Sequence, residues 1–401
     1  MNNISCDIII VGAGPAGTTM ALMLAGSGLQ VTIIDKDRFP RDKICGDALS
    51  GQVLSILKRM PDNIYDDFLA TVPKSPSYGT RFVSPGSHIA DISFSTGPGT
   101  HAPGYICPRK EFDAFLASKL RDYGNIRFIE GEKVIGVRHK EGGMMTAVTA
   151  HSVVKGKVVA GADGTHSVVR SLAGNKKPVR THLCTGIRAY FEGVTGFHPE
   201  NYIELFYLKE LLPFYFWIFP EVNGRCNAGL AVLQSEISRK KLNAGALFDD
   251  ILHNHPLIAH RFEAARMARR AEAHALPLGV RPGPFSGNGF LMLGDAASLV
   301  DPFTGEGIGN AMASGEVAAR VLKTCFAKGD YSKTGMREYE VQMRNRIGND
   351  LRASFTLQRM ARYPWLFDLV VRKLNSAVIK NEELRSRLSN PVSLARLLFA
   401  K

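Results

Sequence analysis

Hydrophobic positions fall in short blocks, and the spacing between blocks changes along the chain. Residues 7 to 11, DIIIV, form a continuous apolar run of strand length, and the glycine-spaced GAGPAG follows at once. An apolar-rich segment from Ala16 to about Ala25 has helix length and stops at Gly26 and Gly28; a second strand-like run, QVTIID, ends on Asp35. Strand, glycines, helix, strand and terminal acid in this order predict the opening of a Rossmann-like unit. Two later stretches repeat the theme. KVVAGADGTHSVVR, residues 157 to 170, is an apolar strand running into a polar turn and a helix start. GFLMLGDAASLVDPFTGEGIGNAMASG, residues 289 to 315, carries a strand ending at Gly294 and Asp295, then a glycine-rich loop that opens another helix.

Between about residues 183 and 280 the pattern becomes strand-like: GIRAYFEGV, NYIELFYL, PFYFWIFP and RCNAGLAVL, with turn residues between them, predict an antiparallel sheet. Alternation in PFYFWIFP puts Tyr215, Trp217 and Phe219 on one face and Phe214, Phe216 and Ile218 on the other.

A chain of 401 residues exceeds the size at which one core keeps growing, so two interleaved lobes are expected. The six cysteines are scattered, with none of the close pairs that mark zinc or CxxC sites, so no metal centre is expected and the thiols read as reduced. Met1 leads into the run Ile8 to Val11 without a secretory signal, and YPWLFDLVV, residues 363 to 371, is too short to span a bilayer; the expected location is the cytoplasm. The net charge of +13 is uneven, because residues 351 to 401 hold ten Lys or Arg against three Asp or Glu, together with Trp365, Leu366, Phe367, Leu397, Leu398 and Phe399. Basic plus bulky apolar residues suggest an anionic membrane surface, peripheral on its inner face, rather than nucleic acid; a solvated helical face with its core stripe reads the same way.

The glycines carry the chemistry at the first turn. Gly12 permits the tight turn, Gly14 the approach of a pyrophosphate, and Gly17 the packing of the helix on the strand, while Asp35 is placed for ribose hydroxyls. This unit alone does not separate NAD from FAD. The later stretches, in this order, resemble the flavoprotein hydroxylase superfamily typified by para-hydroxybenzoate hydroxylase. The resemblance implies FAD, with Asp163 in the DG motif, Asp295 at the ribityl chain and Arg109 of CPRKEFDAFL near the pyrophosphate. Gly305, Gly307 and the helix opening at Ile308 would then let backbone approach a flat ring.

KICGDALSG and YFWIFP together resemble the paired signatures of the geranylgeranyl reductase family, with Cys45 and Gly46 in the loop and Tyr215, Trp217 and Phe219 as the substrate wall. Asp47 and Ala48 stand where some members carry further glycines. The fold class expected is α/β: a discontinuous FAD-binding domain (1–75, 100–182, 281–328) interleaved with a mainly antiparallel-sheet substrate domain (76–99, 183–280), plus a helical C-terminal region (329–401).

The resemblance implies reduction of carbon–carbon double bonds in a polyprenyl lipid, by hydride from reduced flavin N5 plus protonation. Cys45 would sit near the flavin and assist the proton, and Tyr215 and Trp217 would stabilise cationic character at the alkene. No second GxGxxG unit is visible, so the reductant would be docked NAD(P)H, ferredoxin or another electron-donor protein. A flavin-dependent monooxygenase or epoxidase of an apolar substrate, or a non-catalytic, membrane-associated flavin redox protein, are the alternatives. A halogenase is disfavoured by the lack of a WxWxIP motif.

Overall fold

Strands Ile8–Val11, Val31–Asp35, Val158–Gly161 and Phe290–Met292 are apolar and buried along nearly their whole length, the signature of a sheet covered on both faces. In the computed structural model, which describes residues 1–94, 102–139, 143–174, 180–280 and 285–380, they build one six-stranded sheet. Its order is Ser286–Gly287, Phe290–Met292, Val158–Gly161, Ile8–Val11, Val31–Asp35, Ile126–Glu130, parallel except for the first pair. Chain connections leave Ile8–Val11 toward one side and return on the other, so a crevice opens at the carboxyl ends of the central strands.

The helix after the first strand spans Pro15–Met23, and the loop after Phe290–Met292 leads to a long helix, Ile308–Lys328. The helix start expected after residue 163 is a short 3-10 segment, Val169–Ala173. A four-stranded sheet of Asn2–Ser5, Ser152–Gly156, Met145–Val148 and Gly136–His139 lies beside this unit.

The second large sheet has seven strands, ordered Arg266–Pro277, Leu183–Glu192, Arg225–Leu233, Phe216–Pro220, Ile203–Phe206, Gly79–Val83, Ile89–Ser93. All neighbours are antiparallel except Ile203–Phe206 and Gly79–Val83. Phe216 and Ile218 join one apolar cluster with Phe248 of helix Ala244–Asn254, while Tyr215, Trp217 and Phe219 join another on the opposite face. Phe214 departs from the expected alternation and lies with Tyr215, because the strand starts only at Phe216 and the residues before it do not follow the pleat.

Two helices, Lys333–Ala361 and Pro364–Lys380, follow. Phe367, Val370, Val371 and Leu374 pack into the same cluster as Tyr215 and Trp217. Leu397, Leu398, Phe399 and residues 95–99 lie outside the described residues. Among the described residues no helix is long and apolar enough to cross a membrane.

Trp217 pairs across the sheet with Gly229, and a Cβ there would lie 2.3 Å from the indole Cζ2 and 2.2 Å from the Ile187 carbonyl oxygen. Gly229→Ala is therefore expected to overpack this strand pair and lower stability by about 1–3 kcal/mol. The urea midpoint should fall at unchanged m-value; an unchanged midpoint would remove the contact from the energetics.

Candidate active site

Between the crevice and the Tyr215 face of the seven-stranded sheet lies a cavity of about 1290 Å³. Its wall runs from Gly12, Gly14 and Asp35 at one end to Tyr215, Trp217 and Phe219 at the other.

Three glycines at the first turn have separate jobs. Gly12 sits at φ +100°, and a Cβ would come within 2.4 Å of the Ala162 carbonyl; one on Gly17 would come within 1.9 Å of the Gly12 carbonyl. These two make the turn itself. A Cβ on Gly14 would meet only Arg41 Nη2, at 3.7 Å, so this residue faces open space at the start of helix Pro15–Met23. The Asp35 carboxylate accepts from the Ala13 N–H (2.6 Å) and the Asp37 N–H (2.9 Å), which fixes it beside the turn with lone pairs to spare.

Arg109, expected near the pyrophosphate, lines the cavity but is only 3 % exposed, and it makes a two-pronged ion pair with Asp113 one helical turn on (2.7 Å each). Asp113 also accepts from Arg41 Nη1 at 2.6 Å. Burial opposes the Asp113 charge, yet Arg109 and Arg41 together hold its carboxyl below the ordinary range. The guanidinium over the open Gly14 is thus that of Arg41, steered by Asp113, with Arg109 behind it. Asp295 accepts from Lys43 Nζ at 3.0 Å, and this cation outweighs burial to keep it ionised. Asp163 accepts from the Val168 N–H at 2.7 Å through Oδ2, whereas its Oδ1 is buried with no hydrogen-bond partner. Gly305, Gly307 and Ile308 line the cavity at the start of the long helix.

Cys45 is half-buried in the cavity wall, and burial raises its thiol pKa above the ordinary value, so the proton stays on sulfur near neutral pH. Gly46 lies flat under the aromatic wall: a Cβ would be 2.7 Å from Phe219 Cε2 and 3.6 Å from Trp217 Nε1. The loop glycine and the wall, far apart in sequence, are one contact. Trp217 Nε1 donates to Asn227 Oδ1 (2.9 Å), and Asn227 Nδ2 donates to the Cys45 carbonyl and to Asp47 Oδ2 (2.8 Å each). Burial pushes the Asp47 carboxyl up to about 6 against the pull of Tyr190, Arg188 and Asn227. The Tyr215 hydroxyl donates to the Thr304 carbonyl, tying the wall to the glycine loop.

Glu306 sits in that loop, lines the cavity and accepts from the Ser50 hydroxyl; burial pushes its carboxyl up to about 6. Sequence reasoning passed over Arg41, Lys43, Asn227 and Glu306. The run PRDKICG held a signal for the first two, as cations flanking the thiol beside an anion-binding turn. Asn227 carried none.

The donor set fits FAD: an open glycine under a guanidinium, a buried orphan acceptor at Asp163, and a cavity that passes from polar to aromatic. Residues 5–201 match the FAD binding domain family. The chain is 30% identical over 363 residues to digeranylgeranylglycerophospholipid reductase of Methanothrix thermoacetophila, spanning 86% of this chain and 85% of that protein. It is 29% identical over 336 residues to menaquinone reductase of Mycolicibacterium smegmatis, spanning 82% and 79%. A geranylgeranyl bacteriochlorophyll reductase-like structure from Thermoplasma acidophilum superposes with a TM-score of 0.82 at 25% identity, over 93% of this chain and 92% of the other. A flavin-dependent brominase, 23% identical with a TM-score of 0.75, shares the fold alone. Fold, cavity and matches define an FAD-dependent oxidoreductase. Within that class the chain belongs to the geranylgeranyl reductase family.

Proposed function

We propose that the protein saturates isolated carbon–carbon double bonds in the polyprenyl chain of a lipid. The observation that carries this reading is the continuity of one cavity from the glycine turn to the wall of Tyr215, Trp217 and Phe219. The names of the reductase relatives point to the same substrate class.

Gly12, Gly14, Gly17 and Arg41 would hold the pyrophosphate of FAD, Asp35 the ribose, Asp163 and Asp295 the linking hydroxyls, and Cys45, Gly46, Gly305, Gly307 and Ile308 the ring. When bound and reduced, FAD supplies a hydride. An isolated trisubstituted alkene accepts hydride only if a proton is given to its other carbon, and Cys45 Sγ holds such a proton at the cavity wall. Tyr215 keeps its hydroxyl proton engaged on the Thr304 carbonyl, so its part is the ring face beside Trp217, where cationic character is stabilised. The Glu306 carboxylate, largely ionised above pH about 6, adds negative charge to the same cavity. NAD(P)H or ferredoxin would re-reduce the flavin.

The lipid is proposed to enter from an anionic membrane face at helix Pro364–Lys380. Its inner side packs into the cavity-wall cluster, while Tyr363, Trp365 and Leu369 are exposed beside Arg362 and Lys373. Asp368 on the same helix accepts from the Ser84 hydroxyl (2.6 Å) and the Gly86 N–H (2.8 Å), which ties the helix to the seven-stranded sheet's edge. The test presents prenyl lipids to the dithionite-reduced protein without oxygen, in anionic or neutral vesicles, and reads added hydrogen pairs by mass spectrometry. Addition is expected, and faster from anionic vesicles. Flavin that stays reduced until oxygen enters, with oxygenated lipid as product, would make the protein a monooxygenase instead.

A further inference from the structure

Asp47 is the one loop residue beside Cys45 whose conformation ordinary side chains avoid: φ is +67°, and the residue is wholly buried. Its carboxylate accepts from three donors drawn from three separate elements. Tyr190 Oη in strand Leu183–Glu192 donates at 2.6 Å and Asn227 Nδ2 in strand Arg225–Leu233 at 2.8 Å, both to Oδ2; the Arg109 N–H at the start of helix Arg109–Lys119 donates to Oδ1 at 3.2 Å.

The orientation of the central amide is dictated by chemistry. An indole N–H can only donate, so Asn227 must turn its oxygen to Trp217. Its nitrogen then faces two acceptors, the Cys45 carbonyl and Asp47. The network has one direction: indole to amide, amide to loop. Neighbouring contacts grip the same loop from the same strand, since Arg188 Nη2 donates to Asp42 at 2.9 Å while its guanidinium lies 4.3 Å over the Tyr190 ring.

We propose that Asp47 is a positioning residue: its carboxylate, through Tyr190 and Asn227, sets the Cys45–Gly46 peptide against Trp217 and so fixes the gap between thiol and aromatic wall. The spacing exists whatever the substrate; its bearing on catalysis rests on the prenyl-reduction reading. In an Asp47→Gly variant the left-handed backbone is kept without strain and only the carboxylate is removed.

The test compares FAD-loaded native protein with Asp47→Gly, measuring iodoacetamide labelling of each cysteine by peptide mass spectrometry, and kcat and KM for a reduced prenyl lipid. Cys45 is expected to label at least about tenfold faster, the size of a single one of the three hydrogen bonds lost from the charged carboxylate. Cys107, Cys184 and Cys226, all buried, should stay protected, and kcat should fall more than KM changes. Unchanged Cys45 labelling, or equal loss of protection at all four cysteines, would overturn the proposal. If the glycine variant fails to fold, Tyr190→Phe removes a single donor; faster Cys45 labelling there supports the proposal and a native rate overturns it. Labelling decides the matter even if no prenyl lipid proves to be a substrate.

Discussion

Gly14→Val is expected to fold normally and to emerge colourless. The three turn glycines differ in what surrounds them. Side chains at Gly12 or Gly17 would strike backbone oxygens at 2.4 and 1.9 Å and must disturb the fold, whereas Gly14 faces only the Arg41 guanidinium. Two branches of valine there fill the space between that guanidinium and the helix start, the place proposed for the pyrophosphate. The measurement is flavin absorbance per chain alongside thermal unfolding. Full flavin content at native stability would show that the cofactor lies elsewhere, while lost stability would make Gly14 part of the turn rather than of the binding surface.

Cys45→Ala is expected to bind FAD and lipid as the native protein does, yet to slow anaerobic oxidation of the reduced flavin by a prenyl lipid by a factor on the order of 10²–10⁴, the worth of a placed proton donor. Because the thiol pKa lies above its ordinary value, the donor itself stays protonated from pH 5 to 8 and contributes no fall in rate across that window. Glu306 titrates inside it, at about 6. As a carboxylate stabilising cationic character it should make the rate rise with pH through about 6, and Glu306→Gln should flatten that limb. A limb that survives in the Gln variant belongs to Asp47, which titrates in the same range. A rate that falls through about 6 would instead make Glu306 the acid and remove Cys45 from the proton's path.

Much of this site is legible in the sequence because its signals are local. Glycine spacing, apolar strands and the acid at residue 35 lie within one βαβ stretch, and period-two alternation places Tyr215, Trp217 and Phe219 on a common face. What escapes is long-range or consumed by a neighbour. Arg109 and Asp113 are one helical turn apart, yet their pairing, and the Arg41 guanidinium that Asp113 also holds over Gly14, follow from no local pattern. Asn227 is 182 residues from the carbonyl it holds, and no pattern in RCNAGLAVL marks it. Asp47 reads as a variant of a glycine position; aspartate is one of the few side chains that adopt that φ, and what no local pattern reveals is the three donors that fix its carboxylate.

The contact of Phe219 on Gly46 bears on how such enzymes can be recombined. The loop lies outside any sheet, just before the short strand Ala48–Leu49, and the wall in the seven-stranded sheet, in distant stretches of gene. Yet each is shaped to the other, since the Phe219 ring lies where a Cβ of Gly46 would be and the amide of Asn227 spans both. A chimera that imports the seven-stranded sheet of a relative, in order to inherit its lipid preference, must import residues 42–47 with it. Grafted without that loop, the foreign wall would meet a peptide cut to another ring, and on the proposed reading the hybrid would keep its flavin while losing its grip on the lipid.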